Sequence, residues 1–252
     1  MAASDPTTPV THATRLARIT GLLWIATFIT SIPALVLYGP LLHDSNFILG
    51  AGGGDARIYA GAALELLLII ANIGTAVVPY ALFKRHSERL ALGFVAARIV
   101  ESVFIAVGIL SVLAIMTLRQ DPGSASDNTL VALGQSLVAI HDATFLLGPG
   151  FVVGVGNGLI LGCLMYRSGL VPRRMALFGL VGGPLVCLSG IAVMFGAFEP
   201  SGAVQFGFTI PEIIWEAFLG IYLTFKGFNA AATVSGAGRV AAADPVPAIA
   251  AA

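Results

Sequence analysis

The sequence predicts an all-α protein, a polytopic transmembrane helical bundle with six spans. Hydrophobic residues make up 57% of the 252 residues, and Asp, Glu, Lys and Arg together make up only 10%. A soluble globular domain carries about 25% charged residues, so this composition excludes a soluble enzyme and a disordered protein. The apolar residues also fall into runs long enough to cross a bilayer, which takes about 20 helical residues. The formal net charge of zero gives no general attraction to nucleic acid.

Six apolar stretches account for the predicted spans. The first follows a polar segment that ends in Arg15 and Arg18, and a basic turn beginning at Lys84 separates the second from the third. The predicted ranges are 19–39, 58–83, 90–118, 130–166, 175–198 and 209–228. We expect one transmembrane domain over residues 15–229, because the flanking segments 1–14 and 230–252 have too little apolar pattern to pack. Both flanks are predicted to be disordered and cytoplasmic, and the second is rich in Ala, Gly and Pro.

The fourth stretch, residues 130–166, is too long for a simple span. As one helix it would measure about 55 Å at 1.5 Å per residue, against a hydrocarbon core of about 30 Å. The triplet Gly148-Pro149-Gly150 predicts a kink or break inside it. Two full crossings would move the basic loop 167–174 to the outside, against the charge distribution. We therefore expect a true span over 150–166, preceded by a tilted, re-entrant or surface-lying helix over 130–147.

The positions of Lys and Arg predict the orientation, because basic residues in short loops stay cytoplasmic. With six spans and a cytoplasmic N-terminus, two basic residues lie outside, Arg57 and Arg119, and Arg98 lies within a span. Both termini are therefore predicted to be cytoplasmic. The predicted cytoplasmic basic residues are Arg15, Arg18, Lys84, Arg85, Arg89, Arg167, Arg173, Arg174, Lys226 and Arg239.

A glycine stripe runs along the fourth span, where glycine recurs every four residues. Its members are Gly150, Gly154, Gly158 and Gly162. Residues four apart share a helix face, and glycine there lets a neighbouring backbone approach closely in lipid. The stripe predicts packing against another helix of this chain, and the alternative is a homodimer face. The two cysteines, Cys163 and Cys187, lie in apolar runs and show no metal-type spacing.

Polar and ionisable residues inside the apolar runs are the candidate functional residues. A charge at the bilayer centre costs a few kcal/mol, so such groups must face the bundle interior, pair or become neutral. They define a predicted intramembrane polar cluster consisting of Glu65, Asn72, Arg98, Glu101, His141, Asp142, Asn157, Glu212 and Glu216.

Spacing predicts two contacts within this cluster. Arg98 and Glu101 are three residues apart and so share a helix face, which predicts an inward-facing ion pair. Glu212 and Glu216 are four apart and also share a face, where two carboxylates repel unless one gains a proton or a cation. Three interpretations stay open: a polar network that fixes helix register, a path for a small solute or proton, and an intramembrane enzyme. The enzyme would act on lipid through His141, Asp142 and neighbouring acids. No motif indicates a metal, a cofactor or a serine hydrolase.

Several strings resemble one family of bacterial membrane proteins. They are Thr30-Ser-Ile-Pro-Ala34, Ala97-Arg-Ile-Val-Glu-Ser102, His141-Asp-Ala-Thr-Phe-Leu-Leu-Gly-Pro-Gly150, Gly154-Val-Gly-Asn-Gly158 and Tyr166-Arg-Ser-Gly-Leu-Val-Pro-Arg-Arg174. The family they resemble is a domain of unknown function, DUF4386, and the resemblance covers roughly residues 15–229. It implies a multi-pass protein of the bacterial inner, or plasma, membrane whose partner is the lipid bilayer. It implies no reaction, cofactor or substrate and supplies no site residues.

Overall fold

A computed structural model describes residues 8–200 and 202–234, and these residues form helices and loops without any β-strand. A short 3-10 turn, Phe47–Leu49, lies in the loop after the first helix. The helices are α1 (Thr8–His43), α2 (Ala56–Val77), α3 (Tyr80–Phe83), α4 (Glu88–Gln120), α5 (Asp127–Ser168), α6 (Arg173–Met194) and α7 (Ala203–Phe225).

Six helical segments of the described chain are long and apolar enough to cross a membrane, which confirms a multi-pass bundle. Five are single helices, and the sixth consists of α2 and α3 together, Ala56–Phe83, because the chain stays nearly helical through Pro79. The spans extend a few residues beyond the predicted apolar runs. For example, α7 begins at Ala203 although the apolar run was predicted from residue 209.

The fourth span differs from the prediction, because α5 runs without a break for 42 residues. Around Gly148-Pro149-Gly150 the backbone is π-helical, from Leu146 to Val152, and a second π-helical stretch follows from Gly154 to Leu161. In a π turn each hydrogen bond reaches one residue further, so the helix widens around the proline ring instead of breaking. The chain therefore does not break at the triplet. The alternative kink, and the tilted, re-entrant or surface-lying placement of residues 130–147, stay predictions.

The ends of the bundle also differ from the prediction. Residues 8–14 were expected to be disordered, but α1 begins at Thr8. Ala13, Arg15 and Leu16 are good helix formers that extend the span toward the N-terminus. At the other end residues 230–234 form a further helical turn, in which Ala232 packs into the apolar core. Residues 1–7 and 235–252, which hold the rest of the two predicted flanks, lie outside the described residues.

The six spans pack in a closed ring in the order α1, α2, α4, α5, α6 and α7, and α7 returns to α1. Two apolar clusters fill the ring, one above the other. The lower cluster joins the start of α1 at Ala17, the turn after α3 at Phe83, the loop after α5 at Leu170 and the end of α7 at Phe228. These are the segments with the predicted cytoplasmic basic residues, so we call this end the basic face. The upper cluster, around Tyr38 and Ile105, lies toward the opposite face.

One arginine organises the loop at the opposite face. The guanidinium of Arg119, near the end of α4, donates hydrogen bonds to the carbonyl oxygens of Phe47, Gly50, Ala51 and Gly53. Its Nε also lies 3.1 Å from a carboxylate oxygen of Asp55. One planar cation thus bonds four backbone carbonyl oxygens of a glycine-rich loop.

The glycine stripe of α5 lies against α6 of the same chain. A Cβ added at Gly158 would lie 2.3 Å from Cα of Gly183, and one at Gly154 would lie 2.6 Å from the Gly183 carbonyl oxygen. Gly162 faces Leu180 in the same way, whereas a Cβ on Gly150 would meet only its own helix. Because α6 occupies this face, it is not available for the alternative homodimer. Cys163 and Cys187 are both half-buried free thiols.

Candidate functional site

A cavity of about 170 Å³ lies at mid-height in the ring, between the two apolar clusters. A cavity needs roughly 10–15 Å³ of such volume to hold one water molecule, so this space suits several waters or a small solute. Every span contributes to its lining. Its lining includes Thr27 and Ser31 from α1, Asn72 from α2, Arg98 and Glu101 from α4, Pro149 from α5, Val186 from α6, and Thr209, Glu212 and Glu216 from α7.

Arg98 forms one wall of the cavity and is almost fully bonded there. One terminal nitrogen donates to Oε2 of Glu101 at 2.7 Å, and the other donates to Oδ1 of Asn72 at 2.7 Å. Nε donates to Oγ1 of Thr75 at 3.0 Å, and the guanidinium carbon lies 4.9 Å from the centre of the Trp24 ring. Asn72 then closes the ring of contacts by donating to Oε1 of Glu101 at 2.9 Å.

This closed network pairs one buried cation with one buried anion. Arg98 is 2% exposed and Glu101 is 5% exposed, so neither charge could remain in the bundle without the other. Arg98 points inward and bonds Glu101, as the three-residue spacing predicts. Because the bonds also join α4 to α2, the network fixes the register of these two helices.

The opposite wall of the cavity holds a second Asn–Glu pair, between α5 and α7. Nδ2 of Asn157 donates to Oε1 of Glu216 at 2.5 Å. Trp215 fixes this part of α5 by donating from its indole nitrogen to the Asn157 carbonyl oxygen at 3.0 Å. No Lys, Arg or His of the described residues makes an ion pair with Glu216 or with Glu212. Arg98 therefore pairs with Glu101 and makes no ion pair with Glu216.

Glu212 lies one helical turn from Glu216, against the glycines of α5 and α6. Its side chain is 3% exposed, and neither carboxylate oxygen has a hydrogen-bond partner among the described residues. A Cβ on Gly182 would lie 2.7 Å from Oε2 of Glu212, and one on Gly158 would lie 2.9 Å from the same atom. Oδ1 of the fully buried Asn157 also has no partner. This wall therefore carries three unused acceptor atoms, which is costly in a low-dielectric interior.

Glu65 and His141 lie closer to the opposite face, in a group around Tyr38. The Tyr38 hydroxyl donates to Oε2 of Glu65 at 2.9 Å. The His141 ring meets Tyr38 edge-on, with ring centres 5.9 Å apart, and stacks on Phe145 at 4.8 Å. Phe145 in turn lines the central cavity. The group thus borders the cavity without contributing a polar atom to it.

His141 is the candidate residue on which the alternative enzyme interpretation depends. Both ring nitrogens are buried without a hydrogen-bond partner. The one described carboxylate within 4 Å belongs to Asp142, at 3.5 Å from Nδ1, and the Asp142 side chain is 63% exposed. Among the described residues no three His, Cys, Asp or Glu side chains group in a way that could hold a metal ion.

The predicted polar cluster thus divides into three parts. Asn72, Arg98 and Glu101 form the closed network, Asn157, Glu212 and Glu216 form the opposite wall, and Glu65 and His141 lie around Tyr38. Asp142 lies on the exposed side of α5. Sequence reasoning missed Trp24, Tyr38, Thr75 and Trp215, because an isolated aromatic or hydroxyl residue in an apolar run resembles ordinary membrane-helix composition.

Comparison with known proteins gives one match. The sequence profile of the family described as "Domain of unknown function (DUF4386)" matches residues 19–227. No curated protein and no solved structure matches the chain. The match covers all six spans apart from the first residues of α1, and it includes every residue of the cavity wall. The chain is therefore a member of the DUF4386 family of proteins, and it carries that family's domain as its six-span helical bundle.

Proposed function

We propose that this protein binds a small solute in its central cavity and transports or senses it across the plasma membrane. The observation that supports this proposal is the difference between the two walls of the cavity. Arg98 and Glu101 neutralise each other, so that wall needs no ligand. Glu212 and Glu216 line the cavity across from them, and no Lys, Arg or His of the described residues lies within ion-pair distance of either carboxylate. A network that only fixed helix register would be expected to pair these carboxylate oxygens with donors of the protein, because a buried carboxylate without such a partner costs free energy.

The geometry favours access to the cavity from the face opposite the basic loops. Below the cavity, toward the basic face, lie large side chains that are at most 1% exposed, among them Trp24, Phe94, Leu161 and Trp215. Toward the opposite face the upper apolar cluster covers the cavity only on the side of α1, α2, α4 and α5. Beside it, between α1 and α7, the cavity is bordered by partly exposed residues that include Ser31 and Thr209. This arrangement is the one expected of a solute site that is open on one side.

We further propose that the basic face is cytoplasmic. The predicted loops on one side of the membrane hold many more Lys and Arg residues than those on the other side. The fold brings these basic segments together at one end of the bundle, namely the start of α1, the loops after α3 and α5, and the end of α7. The positive-inside rule places such an end in the cytoplasm. In this orientation the cavity opens toward the outside of the cell.

Cysteine labelling tests whether solutes reach the cavity. Cys163 and Cys187 are first replaced by alanine, and a single cysteine is then introduced by Ser31→Cys or by Ile32→Cys. Ser31 lines the cavity, whereas its neighbour Ile32 is 58% exposed on the outer surface of α1, where lipid surrounds it. A charged thiol reagent needs water and an ionised thiol, so we expect Ser31→Cys to react at least ten times faster, about 1.4 kcal/mol in barrier.

The matched pair separates a solute-binding protein from a purely structural bundle. Both positions lie on the same helix at the same depth, so differences in reagent partitioning affect them equally. If Ser31→Cys is as unreactive as Ile32→Cys, water-soluble molecules do not enter the cavity. The polar cluster would then serve helix packing alone, and the proposed function would be refuted.

A further inference from the structure

We propose that Glu212, Asn157 and Glu216 bind a small monovalent metal cation, with Na⁺ as the type case. This inference rests on the proposed function, because it names the solute that the second wall of the cavity accepts. Its starting point is a comparison inside the molecule. The bundle contains two Asn–Glu pairs beside one cavity, which Glu101 and Glu216 both line. Among the described residues only the pair made by Asn72 and Glu101 has a cation bonded to it.

In the first pair, Arg98 supplies the positive charge and the hydrogen-bond donors. It bonds Glu101 and Asn72 at 2.7 Å each, so both side chains use their oxygens. In the second pair, Asn157 donates to Glu216, but no cation from the described part of the chain completes the arrangement. An exogenous cation would take the place that the guanidinium takes on the opposite wall.

The unused atoms of the second wall are all acceptors. Both oxygens of Glu212 and Oδ1 of Asn157 are buried without a partner. Asn157 is 0% exposed and Glu212 is 3% exposed, so both side chains lie away from the outer surface of the bundle. Carboxylate and amide oxygens are the ligands that hard cations prefer. A cation bound by Glu212 would give these acceptors a positive charge nearby and would offset the repulsion between Glu212 and Glu216.

The surroundings of Glu212 select for a bare ion over an organic cation. Gly158 and Gly182 approach so closely that an added methyl carbon would lie under 3 Å from Oε2 of Glu212. An ammonium group with carbon substituents would meet the same obstruction on this side. Two carboxylates match one or two positive charges, and the absence of a third acidic, His or Cys ligand among the described residues argues against a transition metal.

Thermal unfolding of the purified protein tests this inference directly. Melting temperatures are compared in NaCl, LiCl, KCl and choline chloride at about 100 mM each, at one pH and equal ionic strength. A ligand that binds only the folded state raises the melting temperature by mass action. We expect a rise of several degrees in NaCl relative to choline chloride, with a smaller or no rise in KCl. Equal melting temperatures in all four salts would overturn the proposal.

Variants locate the effect. Glu212→Gln and Glu216→Gln each remove one anionic ligand, and either should abolish most of the NaCl-dependent rise. Glu65→Gln is the matched control, because Glu65 is an equally buried carboxylate that already accepts a bond from Tyr38. Its NaCl-dependent rise should persist even if its melting temperature is lower. Persistence of the rise in both Glu212→Gln and Glu216→Gln, or its loss in Glu65→Gln, would refute the site.

The two proposals fail in distinguishable ways. If Ser31→Cys is labelled but NaCl has no specific effect, the cavity admits solutes and the cation assignment is wrong. If Ser31→Cys is unreactive, the proposed function fails regardless of the salt series. The salt series on the wild-type protein can refute the cation assignment by itself. The test therefore remains decisive even if the Glu212→Gln protein does not fold.

Discussion

Removing Arg98 alone should destabilise the protein more than removing Arg98 and the Glu101 charge together. Arg98→Ala deletes the donors that bond Glu101, Asn72 and Thr75 and leaves the Glu101 carboxylate buried with one remaining donor, Asn72. Hydrogen bonds between membrane helices average about 0.6 kcal/mol each, so the lost bonds alone account for roughly 2 kcal/mol. Leaving one partner of a buried ion pair costs about 3–5 kcal/mol. The unpaired carboxylate should therefore cause most of the loss in stability.

The double variant Arg98→Ala with Glu101→Gln removes both charges and keeps the amide–amide contact to Asn72. We expect its loss of unfolding free energy to be roughly 2–3 kcal/mol, the cost of the lost hydrogen bonds and of the space left by the side chain. Each single change should cost more than this, so the coupling free energy between the two positions should be large and favourable.

The assay is a double-mutant cycle on the purified protein in detergent, with unfolding followed by circular dichroism over a denaturant titration. Arg57→Ala is a control, because Arg57 is an arginine that donates only to the backbone oxygens of Leu37 and Val36. Its removal strands no carboxylate and should cost about 1 kcal/mol. If the loss in the double variant equals the sum of the two single losses, Arg98 and Glu101 are not energetically coupled and the reasoning is wrong.

Three further predictions follow from the packing and the loops. Gly158→Ala should lower the melting temperature strongly, because its Cβ would overlap Gly183 of α6, whereas Gly39→Ala meets nothing within 4 Å and should leave it nearly unchanged; equal melting temperatures would mean that α5 and α6 are not packed here. Arg173→Cys should resist an impermeant thiol reagent added to whole cells, while Ser45→Cys in the first outer loop should react, and the reverse pattern would invert the proposed orientation. Arg119→Lys should speed hydrogen exchange in the 47–53 loop, since a single ammonium cannot reach all the carbonyls that the guanidinium bonds; unchanged exchange would show that the loop holds its shape without this residue.

The sequence was sufficient for contacts within one helix. Arg98 and Glu101 share a face because of their three-residue spacing, and the depth of both residues required an inward pair. Partners on other helices were not predictable in the same way. Asn72 was recognised as polar and buried, but its bonds to Arg98 and Glu101 depend on α2 lying beside α4, which no local pattern specifies.

The unused acceptors of Glu212 are a property of the assembled ring as well. Spacing predicted that Glu212 and Glu216 share a helix face. That Glu212 packs against Gly182 of α6, and that its oxygens have no donor among the described residues, depends on how the helices are arranged in space. The unbroken course of the fourth span was not predictable for a different reason. Proline and glycine do disfavour a regular α-helix, yet the chain widens into π turns at Gly148-Pro149-Gly150 and keeps its helical direction.

The proposed function depends above all on a cavity that is open to solutes on the face opposite the basic loops and closed toward the basic face. The measurement uses the Ser31→Cys protein in which Cys163 and Cys187 are replaced by alanine. Its rate of modification by a membrane-impermeant charged thiol reagent is compared between right-side-out and inside-out vesicles. We predict fast modification in right-side-out vesicles and slow modification in inside-out vesicles, because the buried side chains around Trp24 and Trp215 separate the cavity from the basic face. Faster modification from the basic face, or equally slow modification from both, would contradict the proposed function.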